Sequence, residues 1–339
     1  MKSESVTPPT TNSLAWRVMY TSTGERDQPI VVTGLIIAPT GDAPGEGRPV
    51  VAWAHPTTGI RDECSPSRQP NPFSSIMGLN EFLDAGWIVT ATDYQGLGTD
   101  GPHPYLDGVS EAHAVIDITR AAVTLQDAHA SKKWAVFGHS PGGQAALFAG
   151  QLATTYGPDL ELRAVVAAAP SGDLITQINE KWTTEAYGFI DSYLVTSWQE
   201  TFHFDPTPVL SPHGASGVAT IAAECVLGGS KAADQRLTEI FDTDPEVGNP
   251  AVTNAITTTA PWRTQLIKNS PAGTIPVPTL LTQGTADSVI SPSSTAALDA
   301  QYRANGTVVT LQLLAGVPHT LAGYDSVPFV DPFFKNNFS

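Results

Sequence analysis

Residues 134–149 read WAVFGHSPGGQAALFA. Trp134–Phe137 is a short apolar run of strand character, and Gln144–Ala149 continues as a helix. Between them Gly138-His139-Ser140-Pro141-Gly142-Gly143 fits the pattern G-x-S-x-G. The bare pattern arises by chance in a glycine-rich chain. A strand before it and a helix after it are the setting it requires, a sharp turn that lifts Ser140 Oγ above a sheet. Gly138 and Gly142 remove the side chains that would collide in such a turn. The plain alternative is a helix start, with Ser140 as N-cap and Pro141 at the first helical position.

Outward from this turn the chain alternates strands and helices. Val31–Ala38, Val50–Ala54, Trp87–Thr92, Ala164–Ala169, Val277–Thr282 and Val308–Leu314 read as further strands. Asn80–Ala85, Ser110–Ala130, Gly142–Thr154 and Ser294–Asn305 read as helices. Strands that are nearly continuous in apolar residues and alternate with helices predict a mostly parallel sheet covered on both faces. The interval 171–273 breaks the rhythm, being rich in Thr, Trp, Pro and Asp with no clear strand. It is expected to be an inserted, mainly helical cap, leaving 1–170 and 274–339 as the α/β core.

A serine hydroxyl becomes nucleophilic only when a base takes its proton and a third group holds that base. After a G-x-S-x-G turn the partners follow in the order Ser, acid, His. Asp287 sits at the tip of strand Val277–Thr282 in QGTADSVI, and His319 sits beyond strand Val308–Leu314 in AGVPHT. Both positions lie outside the carboxyl ends of strands, where open α/β sheets bind ligands. Of the 8 histidines only His319 follows Asp287, so the order rule selects it. Asp93 also follows a strand, but it precedes Ser140 and is read as structural.

Acyl transfer also needs N–H donors aimed at the developing oxyanion. The loop His55-Pro56-Thr57-Thr58-Gly59 after an early strand offers Thr57 or Thr58 as one donor. The second is ordinarily the N–H of the residue after the nucleophile, and here that residue is Pro141, which has none. Either a Thr57 or Thr58 hydroxyl or the Gly142 N–H substitutes, or the enzyme acts at a modest rate on activated or small esters; chemistry that does not pass through a full oxyanion is the third alternative. His55, Pro141, Trp182 and Tyr187 are further candidates for contact with substrate, the last two from an aromatic-rich run that otherwise reads as a packing face.

Composition narrows the class. With 41% hydrophobic and 15% charged residues the chain is neither disordered nor collagen-like. Lys plus Arg number 17 against 33 Asp plus Glu, and the net charge of −16 argues against nucleic acid or an anionic membrane as partner. No apolar stretch is long enough for stable membrane insertion. The first twenty residues lack the apolar segment of a signal peptide, which fits a cytoplasmic chain or a mature secreted one. Cys64 and Cys225 read either as separate buried thiols or as one pair. A monomer or homodimer is the expected assembly.

Several strings resemble the secretory lipase (LIP) family of α/β-hydrolases. They are Trp53-Ala54-His55-Pro56-Thr57-Thr58-Gly59 with Cys64-Ser65-Pro66-Ser67, Thr92-Asp93-Tyr94-Gln95-Gly96-Leu97-Gly98 with His103-Pro104-Tyr105, and the segments around Ser140, Asp287 and His319. The resemblance implies an α/β-hydrolase fold and a bacterial esterase/lipase-like carboxylic ester hydrolase. It implies a triad of Ser140, Asp287 and His319, a small-molecule ester substrate, no cofactor and no metal. It also implies a Cys64–Cys225 bridge from core to cap, and with it secretion into an oxidising compartment. Pro141 departs from the family pattern. The rival readings are an acyltransferase or peptidase using the same triad, and a lyase, cyclase or ligand-binding module on the same scaffold, for which Pro141 is the only support.

Overall fold

Side chains along a strand alternate between the two faces of its sheet, and here both faces are apolar. The computed structural model describes residues 1–212, 214–226 and 251–338. Its strands are β1 (Lys2–Val6), β2 (Ser13–Thr23), β3 (Pro29–Pro39), β4 (Arg48–Ala54), β5 (Ile88–Thr92), β6 (Ala130–His139), β7 (Glu161–Ala168), β8 (Thr279–Gly284) and β9 (Val309–Leu314). They form one nine-stranded sheet in the order β1-β2-β3-β5-β4-β6-β7-β8-β9. Pairing is antiparallel from β1 through β3 to β5 and parallel from β5 to β9.

In β6, Trp134 and Val136 join one core cluster and Ala135 and Phe137 the other. The first cluster lies beneath α2 (Gly108–Thr124), α3 (Pro141–Leu152) and the helix Pro292–Ala304. The second lies beneath α1 (Leu79–Asp84) and the C-terminal helix Ala322–Phe338. Every strand expected from the sequence is present, within a few residues at its ends. The expected helix Ser110–Ala130 stops at Thr124, because Leu125 turns extended and His129 is left-handed at φ 52°, freeing Ala130 to begin β6.

Two features escaped the apolar pattern. The β1–β2 hairpin exposes polar residues together with Leu14 and Met19, yet β2 buries Trp16, Val18 and Tyr20, and Tyr20 Oη bonds Thr92 Oγ1 at 2.7 Å. The C-terminal helix carries Pro328 and Pro332 in its interior, which reads as a break; burial of Val327, Val330 and Phe334 on the second cluster holds it helical nonetheless.

Residues 171–273 add no strand to the sheet among the described residues. Helices α4 (Leu174–Lys181), α5 (Glu185–Phe202), α6 (Gly214–Ala222) and α7 (Trp262–Lys268) share a third cluster, in which Trp198 stacks on Trp262 at 6.1 Å. Ile60, Tyr105, Leu106, Val289 and Ile290, from loops at the carboxyl end of the sheet, belong to the same cluster. Trp198 Nε1 donates to Tyr105 O at 2.9 Å, and Cys64 and Cys225 form a disulfide. None of the described helices is long and apolar enough to cross a membrane.

Three histidines are buried where sheet and loops meet. Burial pushes the His55 pKa down, and burial, aided by a neighbouring histidine in each case, pushes His103 and His139 to about 3. They are therefore neutral in the fold, while the unfolded chain protonates them near pH 6.5.

Two outcomes follow. Cys225→Ser lowers the free energy of unfolding by about 2–4 kcal/mol in urea denaturation, because the bridge closes a long loop. Stability also falls as the pH drops from 6.5 towards 3, since the unfolded state then binds protons that the fold refuses, at about 1.4 kcal/mol per pH unit and histidine. Urea midpoints at stepped pH measure the slope, and His103→Asn makes it shallower by one proton.

Candidate active site

The turn between β6 and α3 is built by close backbone approach. A Cβ on Gly138 would lie 1.9 Å from Gly142 O, and one on Gly142 would lie 2.0 Å from Ala54 O. Ser140 is held at φ 58°, ψ −123°, a region L residues avoid unless their surroundings enforce it. Enforcement comes from Ser140 N–H, which donates to Ala168 O at 2.9 Å, and from Ser140 O, which accepts from Gln144 N at 3.1 Å and Ser171 N at 3.2 Å. Ser140 does precede the first helical residue, as the helix-start alternative requires, but its side chain makes no capping bond. Ser140 Oγ lies instead 2.8 Å from His319 Nε2.

His319 Nδ1 is 2.8 Å from Asp287 Oδ2. The Asp287 carboxylate also accepts from Val289 N at 2.9 Å, Ile290 N at 2.8 Å and Gln283 Nε2 at 2.9 Å. Burial works to raise the Asp287 pKa, but His319 and these donors outweigh it and hold the carboxyl below its usual range. Gln283, whose Oε1 accepts from Thr295 Oγ1 at 2.6 Å, has no motif to announce it. His139, neutral by burial, donates from Nε2 to His319 O at 3.0 Å and so ties the His319 loop to the turn.

The loop after β4 divides its candidates. Thr57 Oγ1 is 2.6 Å from Tyr105 Oη. Thr58 is buried, and its hydroxyl has no partner among the described residues. His55 is buried against Tyr94 at 4.3 Å between ring centroids, with Nδ1 2.7 Å from Pro56 O. It packs the loop and does not line the cavity at Ser140. Asp93 bonds Thr33 Oγ1 and Ser67 N, both at 2.7 Å, a structural arrangement.

A narrow cavity of about 10 Å³ opens beside Ser140 and Pro141. Its walls are Tyr105, Leu106, Ser171, Leu174, Gln177, Ile178, Ile190, Asp191 and Leu194. Trp182 is not among them; it packs against the third cluster with Tyr193 and Trp198. The Tyr187 side chain lies outside the described residues. Among the described residues, the lining contributed by α5 is aliphatic plus one acid. The signal for Asp191 was present in the sequence, a lone carboxylate on the apolar stripe Ile190, Leu194, Val195 and Trp198.

The secretory lipase (LIP) family model matches residues 74–320. Among curated proteins the chain is similar to a "probable inactive lipase" MT1628 of Mycobacterium tuberculosis, 26% identical over 171 residues, 47% of this chain and 37% of that one. It is also similar to lipase A of Moesziomyces aphidis, 22% identical over 162 residues, 44% of this chain and 34% of that one. These matches span little more than a third of the length of either relative. Among solved structures, the rice cell wall degrading esterase LipA from Xanthomonas oryzae superposes with a TM-score of 0.80 at 20% identity, over 99% of this chain and 98% of that one. Candida antarctica lipase A in its closed state gives 0.79 at 16% identity, over 100% and 81%. At such identities the likeness is one of fold, that of the α/β-hydrolases. With most of its length, from the loop before α1 to the His319 turn, matched by one family model, the chain belongs to the secretory lipase family.

Proposed function

We propose that the chain hydrolyses carboxylic esters of small molecules through an acyl-enzyme on Ser140. The observation that carries this reading is the relay from Ser140 Oγ to His319 Nε2 and from His319 Nδ1 to Asp287 Oδ2, 2.8 Å at each step. Ser140 Oγ attacks the ester carbonyl while His319 takes its proton and then delivers it to the leaving alcohol. Asp287 accepts the Nδ1–H bond, selects the tautomer and stabilises the imidazolium. Water then attacks the acyl-enzyme with His319 again as base, and no cofactor enters.

Pro141 removes one oxyanion donor. On this reading the Thr57–Thr58 loop supplies the remaining ones. Tyr105 Oη lies 2.6 Å from Thr57 Oγ1, and when the phenol is the donor in this pair the Thr57 hydroxyl proton is left for the oxyanion. Residues 171–273 act as a cap whose Leu174, Ile178, Ile190 and Leu194 shape the acyl pocket. The Cys64–Cys225 bridge fits a secreted protein.

A second reading, a scaffold without hydrolytic turnover, is favoured by Pro141 and by the relative whose name calls it a probable inactive lipase.

Nitrophenyl esters from acetate to palmitate separate the two. Wild type is expected to turn over the short members and Ser140→Ala to fall to the uncatalysed background. Inactivity of wild type across the series overturns the esterase reading. Pro141→Ala restores an N–H beside Ser140 and raises kcat by up to about 10²–10³, with little change in KM. An unchanged kcat would mean that another donor already occupies that place.

A further inference from the structure

The two oxygens of the Asp287 carboxylate are held differently. Oδ1 accepts from two backbone donors, Val289 N and Ile290 N. Oδ2 is shared, accepting from His319 Nδ1 at 2.8 Å and from Gln283 Nε2 at 2.9 Å. Gln283 lies near the end of β8 and is fully buried. Its amide nitrogen also bonds Gly284 O and Ile290 O, both at 3.1 Å, and so clasps the loop that carries Asp287. Its amide oxygen accepts from the buried Thr295 Oγ1 at 2.6 Å, in the first turn of the helix Pro292–Ala304. Turning the amide over would set its oxygen against a carboxylate and two carbonyls, so its orientation is fixed. An unbroken chain of hydrogen bonds, none longer than 2.9 Å, thus runs from Thr295 through Gln283, Asp287 and His319 to Ser140 Oγ.

We propose that Gln283 is a positioning residue of the relay, acting on His319 through Asp287, and that Thr295 sets Gln283 in turn. The proposal rests on the esterase reading of Ser140. A carboxylate oxygen accepts along two lone-pair directions. With one direction of Oδ2 taken by Gln283 and Oδ1 taken by the backbone, the direction left open is the one His319 Nδ1 occupies. The second effect is electrostatic. A donor on Oδ2 draws charge from the same oxygen that stabilises the imidazolium, so Gln283 moderates how firmly Asp287 keeps a proton on His319. That proton has to leave again for the departing alcohol. Of the other ionisable groups beside the pair, His139 lies 5.0 Å from His319 between ring centroids and burial keeps it neutral. Because Gln283 is buried, no bulk water replaces its N–H when the amide is removed. Neither Gln283 nor Thr295 is assigned a part in bond making.

The test follows nitrophenyl acetate hydrolysis against pH for wild type, Gln283→Met, Thr295→Val and the double variant. Methionine keeps the length of the side chain and donates nothing. Gln283→Met is expected to lower kcat by up to about 10²-fold with little change in KM. It should also move the acid limb of kcat/KM, which reports the base of the free enzyme, to higher pH. Thr295→Val, which leaves Gln283 in place, should shift both in the same direction by less, and add nothing once Gln283→Met is present. A second readout needs no turnover: the imidazole nitrogen NMR shifts of His319, titrated in Ser140→Ala with and without Gln283→Met, should show the same upward displacement. A chain that hydrolyses no ester but shows this displacement loses the esterase reading and keeps the positioning assignment. A folded Gln283→Met with wild-type kcat, or with a lowered melting temperature and an unmoved His319 titration, overturns the assignment. If melting curves show that Gln283→Met does not fold, Thr295→Val carries the test, and an unmoved titration there overturns it. Full additivity of the two substitutions overturns the part given to Thr295.

Discussion

Residue 140 occupies a backbone conformation that an L side chain adopts only under compulsion, and much of the site follows from what compels it. The peptide before it ends a strand whose last six residues, Trp134–His139, are all buried, and the one after it starts a helix. The two segments approach so closely that neither Gly138 nor Gly142 tolerates a Cβ. Hydrogen bonds from Ser140 N–H to β7 and to Ser140 O from the start of the next loop pin the turn to the sheet's carboxyl edge. With the backbone fixed in this way, Oγ has few directions open to it, and the one it takes reaches His319.

The same edge organises everything brought to meet it. Parallel strands end together, so the loops after β4, β6, β8 and β9 converge there although they are far apart in sequence. Asp287 is held by a tight loop that turns two backbone N–H groups on one carboxylate oxygen and leaves the other for His319 and Gln283. His139, kept neutral by burial, bonds the His319 carbonyl and joins the His319 loop to the turn at Ser140. Above them, residues from the interval 171–273 fuse with loop residues into one apolar cluster, reinforced by the disulfide. Residues of this cluster, Leu174, Ile178 and Leu194 among them, line the cavity beside Ser140.

The central sheet was legible because buried parallel strands have to be apolar almost throughout, and segments such as Val50–Ala54 satisfy that demand locally. The turn at Ser140 was legible because only glycine meets its steric conditions. Asp287 and His319 were reachable by strand order alone. The N-terminal hairpin and the C-terminal helix were not, since β2 has one polar face and Pro328 and Pro332 contradict a helix that only tertiary burial sustains. The aromatic run in α5 was ambiguous for a related reason: helical periodicity says which residues share a face, and says nothing of whether that face meets a ligand or another helix.

By itself, then, the amino-acid sequence determined the alternation of strands and helices, the turn chemistry at 138–142, the order of the relay residues and the absence of an N–H after Ser140. These are local or ordinal properties, encoded in residue type and spacing. The tertiary structure alone decided that Ser140 Oγ turns to His319 instead of capping its helix, and that His55 packs against Tyr94 instead of lining the cavity. It also decided that Trp182 stays with the apolar cluster while Asp191 and Gln177 face the space beside Ser140. Such outcomes depend on which side chains from distant segments compete for one volume, and that competition is settled only when the segments are packed together.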